Sequence, residues 1–286
     1  MALDLERLQQ WVGRQEQQTE TAESWPILGA MAALDVAPEY WPAAGDPIPE
    51  TGHWCYFPPR ARQSGLGEDG HPRRGGFLPP IPLARRMWAG SRIRYEAPIC
   101  LGDTLTRVGE ILNVSVKQGK TGTLAFVTVQ HSLSTGDGLA LVEEQDLVFR
   151  EAPPPGAAIP APPQAPTDAE WSDPVTPDSP LLFRYSAVTF NGHRIHYDAP
   201  YATGVEGYPG LIVHGPLLAT FLIRAWRARH PDARLRAFRF RAVSPVFCDR
   251  PLRIEGRVGQ PGQASLWVAN PDGGLHMQAE AVWDPV

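Results

Sequence analysis

A proline-rich segment divides the sequence into two halves of similar length. Residues 151–166, EAPPPGAAIPAPPQAP, contain seven prolines and one charged side chain and show no periodic apolar face. Such a segment favours an extended, semi-rigid connector over a packed element. The 286 residues are therefore predicted to form an amino-terminal domain over 1–150 and a carboxy-terminal domain over 167–286, joined by this linker.

Each half carries the same succession of a strand, a proline corner and a return strand. In the first half the pattern covers residues 91–105, SRIRYEAPICLGDTL, with its corner at Pro98. In the second half it covers residues 237–252, AFRFRAVSPVFCDRPL, with its corner at Pro245. Further runs with a two-residue apolar period follow each corner, separated by glycine turns. We therefore expect antiparallel meanders, an internal repeat, and equivalent strand ends at the two prolines.

One strong helix is predicted in the second half, over residues 215–230. Its apolar residues recur at helical spacing, Pro216 occupies the first turn, and Pro231 follows the last turn. A single apolar helix ahead of a meander predicts a curved antiparallel sheet wrapped around that helix, and hence an α+β fold. The buried face is predicted to consist of Leu218, Phe221, Leu222 and Ala225.

The first half lacks an equally clear helix in the matching place. Its segment 75–90, GGFLPPIPLARRMWAG, is interrupted by three prolines. Helices are predicted instead near the amino terminus, over Leu5–Gln18 and Ile27–Leu34. The aromatic run Trp54, Tyr56 and Phe57 is a candidate for lining a site, although core packing is the simpler role for such side chains.

Composition excludes several classes of protein. Charged residues make up 20 % of the chain and the net charge is -5, so no nucleic-acid partner is expected. The amino terminus has no secretory signal, and the most apolar window, residues 209–223, is too short to span a bilayer. Cys55, Cys100 and Cys248 are odd in number and widely spaced, which fits neither a disulfide framework nor a zinc cluster. A cytoplasmic location and no membrane partner are expected.

The densest group of polar side chains lies in residues 190–215, FNGHRIHYDAPYATGVEGYPGLIVHG. Clustered titratable groups outside a strongly periodic element are typical of an active-site loop. Asp198, which precedes Ala199 and Pro200, is more simply explained as a turn former. The group comprises Asn191, His193, His196, Asp198, Glu206, Tyr208 and His214.

These motifs resemble the MaoC-like hydratases, also called hydratase 2. In particular, TFNGHRIHYDAPYA together with EGYPGLIVHGPL is similar to the double hot-dog 3-hydroxyacyl-thioester dehydratases and mesaconyl-C4-CoA hydratases. The likeness is detailed over about residues 183–226. It implies a double hot-dog of two curved antiparallel sheets, each wrapping a helix, with a degenerate amino-terminal half. It also implies reversible addition of water to the double bond of an enoyl thioester.

The hydratase motif places an aspartate five residues before its histidine, and here Asn191 occupies that slot before His196. Asparagine cannot accept a proton at neutral pH, so the role of general base falls on His196, with Asn191 orienting water and His193 assisting. The resemblance places the thioester carbonyl at the amino terminus of the central helix. The Gly215 amide is then the expected oxyanion donor.

The resemblance implies coenzyme A as part of the substrate and no separate cofactor. Arg194, Tyr208 and His214 are predicted to bind substrate, with Arg194 meeting a substrate carboxylate. The preferred substrates are branched C4-dicarboxylic acyl-CoAs, mesaconyl-C4-CoA or itaconyl-CoA, giving citramalyl-CoA. The oligomeric state is left open between a monomeric double hot-dog and a homodimer.

Other functions are less consistent with the sequence. They are a fatty-acid 3-hydroxyacyl-thioester dehydratase, an inactive acyl-CoA-binding protein, and a thioesterase on the same fold. A zinc pair at His193 and His196 lacks an obvious third ligand, so no metal is predicted. The glycines at 204, 207 and 210 do not follow a predicted strand, which argues against a dinucleotide fold.

Overall fold

The computed structural model describes residues 4–119, 122–154 and 156–284. Within these ranges the chain forms five α-helices, which are α1 (Leu5–Gln9), α2 (Ser24–Ala33), α3 (Ser179–Val188), α4 (Ala199–Gly204) and α5 (Gly215–Arg229). The same ranges contain ten strands, which are β1 (Gln15–Thr21), β2 (Arg85–Tyr95), β3 (Thr104–Gly119), β4 (Gly122–Thr135), β5 (Gly138–Arg150), β6 (Trp171–Val175), β7 (Leu235–Ala242), β8 (Leu252–Val258), β9 (Gln263–Ala269) and β10 (Leu275–Trp283).

All of these strands belong to one antiparallel sheet, whose order contains the predicted repeat. The order is β1-β3-β4-β5-β2-β7-β10-β9-β8-β6. The five strands of each half are thus arranged in the same way, and the two halves are related by a pseudo-twofold axis. The sheets of the halves join through β2 and β7, where Arg92 lies opposite Arg239. Hydrogen bonding is therefore continuous across the molecule instead of ending at a boundary between two sheets.

The two proline corners lie at equivalent positions. Pro98 and Pro245 each follow the last residue of their strand, β2 or β7, by three positions. Four residues further on, Gly102 and Asp249 both adopt a left-handed backbone, with φ of 99° and 59°. The return strands β3 and β8 do not pair with β2 and β7, because the edges of β2 are taken by β5 and β7. After each corner, the chain crosses to a return strand that lies second from the outer edge of the sheet, β3 in the first half and β8 in the second.

The second half wraps its strands around α5 as predicted. The helix packs against β8, β9 and β10 and also contacts β2 across the seam. Leu218, Leu222 and Ala225 are buried, whereas Phe221 is only partly buried. Pro216 fits the first turn because the amide it lacks would have no partner within the helix. The helix ends at Arg229, two residues before Pro231.

The first half fills its core without a long helix. Ile81 and Leu83 of the proline-interrupted segment pack with Leu8 of α1 and with Ile111 and Phe149 of the sheet. Helix α2 packs instead against α3 of the other half. An extended segment therefore covers part of the first-half sheet, whereas the second half uses α5.

The prediction of one helix over Leu5–Gln18 is wrong. Helix α1 ends at Gln9, and residues 15–21 form β1, which pairs with β3. Gly13, with a φ of 81°, turns the chain, and its amide donates to the Ile111 carbonyl over 2.8 Å. The side chains of β1 alternate between exposed and half-buried, so cross-strand pairing outweighs the helical preference of its glutamines and glutamates. Helix α2 agrees with the prediction for Ile27–Leu34 within three residues.

The linker contains no regular element at residues 151–154 and 156–166, apart from a single bridge between Gln164 and Gly274. Its division of the chain into separate domains stays a prediction. None of the helices in the described residues has the length and apolar character needed to cross a membrane.

Candidate active site

A cavity of about 770 Å³ lies where the two halves meet. Trp54, one of the three aromatic residues proposed to line a site, lies in its wall, with its ring edge against the Trp88 ring at 5.3 Å. Tyr56 and Phe57 are core residues. The wall includes Trp54, His71 and Trp88 from the first half, and Ser186, Asn191, Arg194 and Pro216 from the second.

His196 is held in one tautomer by the backbone. It lies on a short turn of 3-10 helix, Arg194–His196, and its Nδ1 is 2.8 Å from the Ile212 carbonyl oxygen. Because a carbonyl only accepts hydrogen bonds, Nδ1 must carry the hydrogen, which leaves Nε2 with a free lone pair. Burial lowers the pKa of His196 to about 4, so the ring is neutral at pH 7. His196 therefore has the form that a general base requires.

His214 supports the His196 ring. The two rings stack with centroids 3.7 Å apart, and Nε2 of His214 is 2.8 Å from the hydroxyl oxygen of Ser186. Burial, followed by the neighbouring His196 and His193, lowers the pKa of His214. His214 has no exposed surface and lies against the His196 ring. Of the hydrogen-bonded residues His214 and Ser186, Ser186 is the one that lines the cavity.

The amino terminus of α5 lies beside these histidines. His214 is its N-cap residue and makes no capping hydrogen bond through its side chain. The first amides of a helix have no acceptor within the helix, and the helix dipole makes this end favourable for negative charge. Pro216 lines the cavity, and a Cβ on Gly215 would lie 3.7 Å from the Trp88 carbonyl oxygen. The Gly215 amide is thus near the cavity, where an oxyanion donor is expected.

Asn191 lines the cavity and organises its own loop. Its Oδ1 accepts from the His193 amide over 3.0 Å, and its backbone amide donates to the Ser186 carbonyl over 2.8 Å. This leaves the side-chain NH₂ as the group of Asn191 that can meet water or substrate.

A histidine from the first half joins the two predicted in the second. The ring centroid of His71 is 4.5 Å from that of His193, and His193 is 5.4 Å from His196. His71 lines the cavity directly. His71 was not predicted as a site residue, because it lies in a Gly- and Pro-rich loop more than 100 residues before the motif. The short DGHP segment was its only local signal.

This first-half loop, residues 67–72, is bound to the loop that carries the motif. The Arg194 amide donates to the Asp69 carbonyl over 2.9 Å, and Arg194 Nη1 donates to the Glu68 carbonyl over 3.0 Å. Gly70 approaches Gly192 so closely that a Cβ on Gly70 would lie 1.9 Å from the Gly192 carbonyl oxygen. Both halves therefore build the site.

Of the two predicted substrate-binding residues Arg194 and Tyr208, only Arg194 lines the cavity. Arg194 lines the cavity, but its Nε and Nη2 donate to Asp198 over 2.9 and 2.7 Å. Two of its five N–H groups remain available, one on each terminal nitrogen. Tyr208 packs in a separate small cluster with Phe247, and its hydroxyl is 3.5 Å from Arg85. The structure thus brings Asn191, His193, His196 and Gly215 together. Of these four, Asn191 lines the cavity, and the other three lie behind its wall, as Tyr208 does in its separate cluster.

Three side chains could hold a metal ion. Asp69, His71 and His193 each offer one ligand atom, and these atoms lie within 4.8 Å of one another. The candidate partners of His193 are thus Asp69 and His71, and the group does not include His196. Two imidazoles and one carboxylate suit several divalent cations, and the absence of a metal stays a prediction.

A neutral, buried histidine beside a helix amino terminus, inside an antiparallel sheet that wraps the helix, is consistent with the resemblance to the hot-dog hydratases and dehydratases. The chain belongs to the Htd2 family, hydroxyacyl-thioester dehydratase type 2, whose model matches residues 50–248. This match includes both the first-half loop with His71 and the second-half motif.

Relatives and solved structures agree with this assignment. Mesaconyl-C(4)-CoA hydratase of Chloroflexus aurantiacus is 45 % identical over 273 residues, covering 94 % of this chain and 95 % of that protein. Mitochondrial hydroxyacyl-thioester dehydratase type 2 of Schizosaccharomyces pombe is 29 % identical, covering 76 % of this chain and 78 % of its own. A MaoC-like dehydratase of Phytophthora capsici has a TM-score of 0.73 at 15 % identity, covering 99 % and 98 % of the two chains. The double hot-dog fold and the hydratase–dehydratase class predicted from the sequence are confirmed.

The low pKa of His196 predicts an unusual pH profile. An exposed histidine would lose its basic form as the pH falls through about 6.5. Burial lowers the pKa of His196 to about 4, so kcat/KM should stay level from pH 7 to about 5 and fall only as the pH approaches 4. Initial rates of an enoyl-CoA hydration measure this, with recovery at pH 7 after acid exposure as the control for unfolding. A midpoint near 6.5 would contradict the assignment.

Proposed function

We propose that this protein adds water reversibly to the double bond of a C4-dicarboxylic enoyl-CoA, with mesaconyl-C4-CoA as substrate and citramalyl-CoA as product. The observation that carries the proposal is the 45 % identity to a mesaconyl-C(4)-CoA hydratase over nearly the full length of both chains. The neutral His196 beside the α5 amino terminus supplies the chemistry that such a reaction needs.

The first step is polarisation of the thioester. The substrate carbonyl oxygen is placed at the amino terminus of α5, within reach of the Gly215 amide. As water adds, negative charge develops on this oxygen, and the amide and the helix dipole stabilise it. Fixed dipoles act here without reorganising during the reaction.

The second step is the activation of water. Nε2 of His196 takes a proton from water while its oxygen bonds to Cβ and the π electrons move to form the enolate. Nδ1 stays bonded to the Ile212 carbonyl, so the resulting imidazolium is stabilised by that hydrogen bond. The Asn191 amide orients the water. His196 then returns the proton from Nε2 to Cα of the enolate, which completes the product and leaves the imidazole neutral again.

Arg194 is proposed to bind the second carboxylate of the substrate. A carboxylate in a largely apolar cavity is costly to bury without a cation. The two N–H groups of Arg194 that Asp198 and Glu68 leave available can supply that contact. The hydrogen bonds from Arg194 to Asp198 fix the position of the guanidinium, and its remaining N–H groups are left for the substrate carboxylate.

Replacing Arg194 by alanine should therefore reduce the substrate preference more than the catalytic rate. We expect the ratio of kcat/KM for mesaconyl-C4-CoA over crotonyl-CoA to fall by about 10- to 100-fold, the usual worth of a charge-assisted pair. Arg229→Ala is the matched control, since Arg229 makes a similar pair with Asp173 at the other end of α5. An equal loss on both substrates would instead assign Arg194 a structural role or a contact with the carrier.

A dehydratase of 3-hydroxyacyl thioesters in fatty-acid synthesis is the second candidate. The family description and the Schizosaccharomyces pombe relative favour it. Trp54, Trp88 and Phe183 in the cavity wall could contact a longer apolar chain. The two functions share one reaction and differ in the acyl group.

A panel of enoyl-CoAs separates the candidates. Each thioester is incubated with the protein, loss of the conjugated double bond is followed by absorbance, and products are identified by mass. The proposal expects mesaconyl-C4-CoA or itaconyl-CoA to react much faster than crotonyl-CoA. Preference for crotonyl-CoA or a longer apolar chain would assign the protein to fatty-acid dehydration.

A cytoplasmic location also stays a proposal. Cys55, Cys100 and Cys248 are free thiols, which suits a reducing compartment. Burial raises the pKa of Cys55 to about 12, so that thiol is protonated at neutral pH. Since one chain already contains two hot-dog halves, either a monomer or a homodimer is compatible with the proposal.

A further inference from the structure

The cavity wall contains a serine hydroxyl that the proposed reaction has not yet used. Ser186 lies on α3, is buried, and lines the cavity. Within the described residues its Oγ has one hydrogen-bond partner, Nε2 of His214 at 2.8 Å. Thr189, at the end of the same helix, instead donates its hydroxyl hydrogen to the Tyr185 carbonyl over 2.7 Å. The Ser186 hydroxyl is thus not bonded to the backbone of its own helix.

The surroundings of His214 decide which group donates in this pair. Nδ1 of His214 is buried and has no hydrogen-bond partner among the residues that the structure describes. Burial lowers the pKa of His214, so the neutral ring carries a single hydrogen. A buried N–H group without an acceptor is rarer in proteins than an acceptor atom without a donor. The hydrogen therefore lies on Nε2, which donates to Oγ, and the Ser186 hydroxyl is left to donate to another group.

The amino terminus of α5 offers few amides to a substrate. Gly215 is its first residue, and Pro216, which follows, has no amide hydrogen. Leu217 has no exposed surface, so its amide is not accessible from the cavity. A thioester oxygen that gains negative charge can accept more than one hydrogen bond. Gly215 supplies one donor, and a second has to come from another part of the wall.

We propose that Ser186 is a catalytic residue, whose hydroxyl donates the second hydrogen bond to the thioester oxygen alongside the Gly215 amide. This inference rests on the proposed function. His214 links the two donors, because its side chain contacts Ser186 and Gly215 is the next residue in the chain. The hydrogen bonds then run from Nε2 of His214 to Oγ, and from Oγ to the substrate. Successive hydrogen bonds of this kind polarise and strengthen one another.

Ser186 acts in this scheme without losing its own proton. As water adds to Cβ, the π electrons move toward the thioester oxygen, and the hydroxyl and the Gly215 amide stabilise the charge that develops there. The proton from water stays on His196 until it reaches Cα. A nucleophilic serine would need a base to take its proton, and Nε2 of His214 already carries a hydrogen. The same hydrogen bond thus makes Ser186 a donor and not a nucleophile.

Replacing Ser186 by alanine should lower kcat by about 100-fold, the usual effect of removing one oxyanion donor. KM should change less than about threefold, because the charge develops mainly after binding. The rates are measured with the enoyl-CoA that the wild type hydrates fastest. Ser179→Ala is the matched control, since it makes the same change at the exposed first residue of α3, and it should retain full activity. A Ser186→Ala kcat within about threefold of the wild-type value would overturn the proposal.

The infrared band of a bound thioester carbonyl separates a contact with the substrate from a structural role. A donor at the oxygen weakens the C=O bond, so the band moves to lower frequency. The probe is the saturated analogue of the substrate, labelled with ¹³C at the thioester carbonyl. We expect a shift on binding to the wild type and a smaller shift with Ser186→Ala. Equal shifts in the two proteins would show that Ser186 only supports His214, and would overturn the proposal.

The tautomer of His214 tests the proposal in the wild type, whether or not the variant folds. Long-range ¹H–¹⁵N spectra of protein with labelled histidine should place the hydrogen of His214 on Nε2. A hydrogen on Nδ1 would mean that Ser186 donates to His214, and would overturn the proposal. Failure of the wild type to hydrate mesaconyl-C4-CoA would count against the proposed substrate alone, since the kinetics and the infrared bands are then measured with the thioester that it does hydrate.

Discussion

Replacing His196 by alanine should lower kcat by at least about 100-fold, the usual worth of a positioned general base. The Ile212 carbonyl oxygen lies 2.8 Å from Nδ1 of His196, which fixes the tautomer and leaves Nε2 free to accept a proton. The remaining helix dipole and binding contacts would still give residual catalysis. Steady-state kinetics on the preferred enoyl-CoA measure the loss.

This variant needs a control for correct folding, because it removes one ring of the His196–His214 stack. Removing His196 exposes one face of His214, whose ring lies 3.7 Å away, so circular dichroism and the thermal midpoint should be compared with the wild type. A folded His196→Ala protein with a kcat near that of the wild type would exclude His196 as the base.

Replacing Gly70 by alanine should reduce kcat/KM by about 100-fold, because a displacement of about 1 Å in an active site can cost that much. An alanine Cβ would lie 1.9 Å from the Gly192 carbonyl oxygen, and Gly70 has a φ of 84°. The Cβ would also lie 3.0 Å from the Gly192 carbonyl carbon. Since both of these Gly192 atoms belong to the backbone, the loop must withdraw from the motif and take His71 with it. The kinetics of hydration measure the effect, with the thermal midpoint recorded alongside.

Gly65→Ala is the matched control for this loop. Gly65 lies five residues earlier, and a Cβ there would meet no atom within 4 Å. Its activity should therefore equal that of the wild type. If Gly70→Ala were as active as Gly65→Ala, the first-half loop would not contribute to the site.

The sequence predicted those parts of the fold that local patterns encode. Helix α5 was predicted correctly because its apolar stripe and terminal prolines fix both its face and its ends. The repeat was visible because Pro98 and Pro245 recur with similar flanking strands. The continuous seam between β2 and β7 was not, since pairing across the pseudo-twofold axis joins residues more than 140 positions apart. Residues 15–18 of the polar strand β1 were predicted as helix for a related reason, because pairing with the distant strand β3 decides their conformation.

In the candidate site, too, residues close together in the sequence could be predicted, whereas those brought in by long-range contacts could not. Asn191, His193 and His196 lie together because six consecutive residues carry them, and Gly215 joins them because the helix begins there. His71 could not be assigned in advance, since its approach to His193 depends on a contact between two loops. Tyr208 lies within the motif region but packs against Phe247, so closeness in sequence did not bring it to the cavity.

Isotopic water provides a direct test of whether this site adds water to the double bond of a C4-dicarboxylic enoyl thioester. Mesaconyl-C4-CoA and, in separate reactions, crotonyl-CoA and a longer apolar enoyl-CoA are incubated with the wild-type protein in H₂¹⁸O, and the products are resolved by mass spectrometry. The account predicts an intact thioester, heavier by one molecule of labelled water, with the label on the carbon skeleton of citramalyl-CoA. Release of free coenzyme A with the label in a new carboxylate would indicate a thioesterase, and labelling of apolar enoyl-CoAs alone would indicate a fatty-acid dehydratase; either result would contradict the claim.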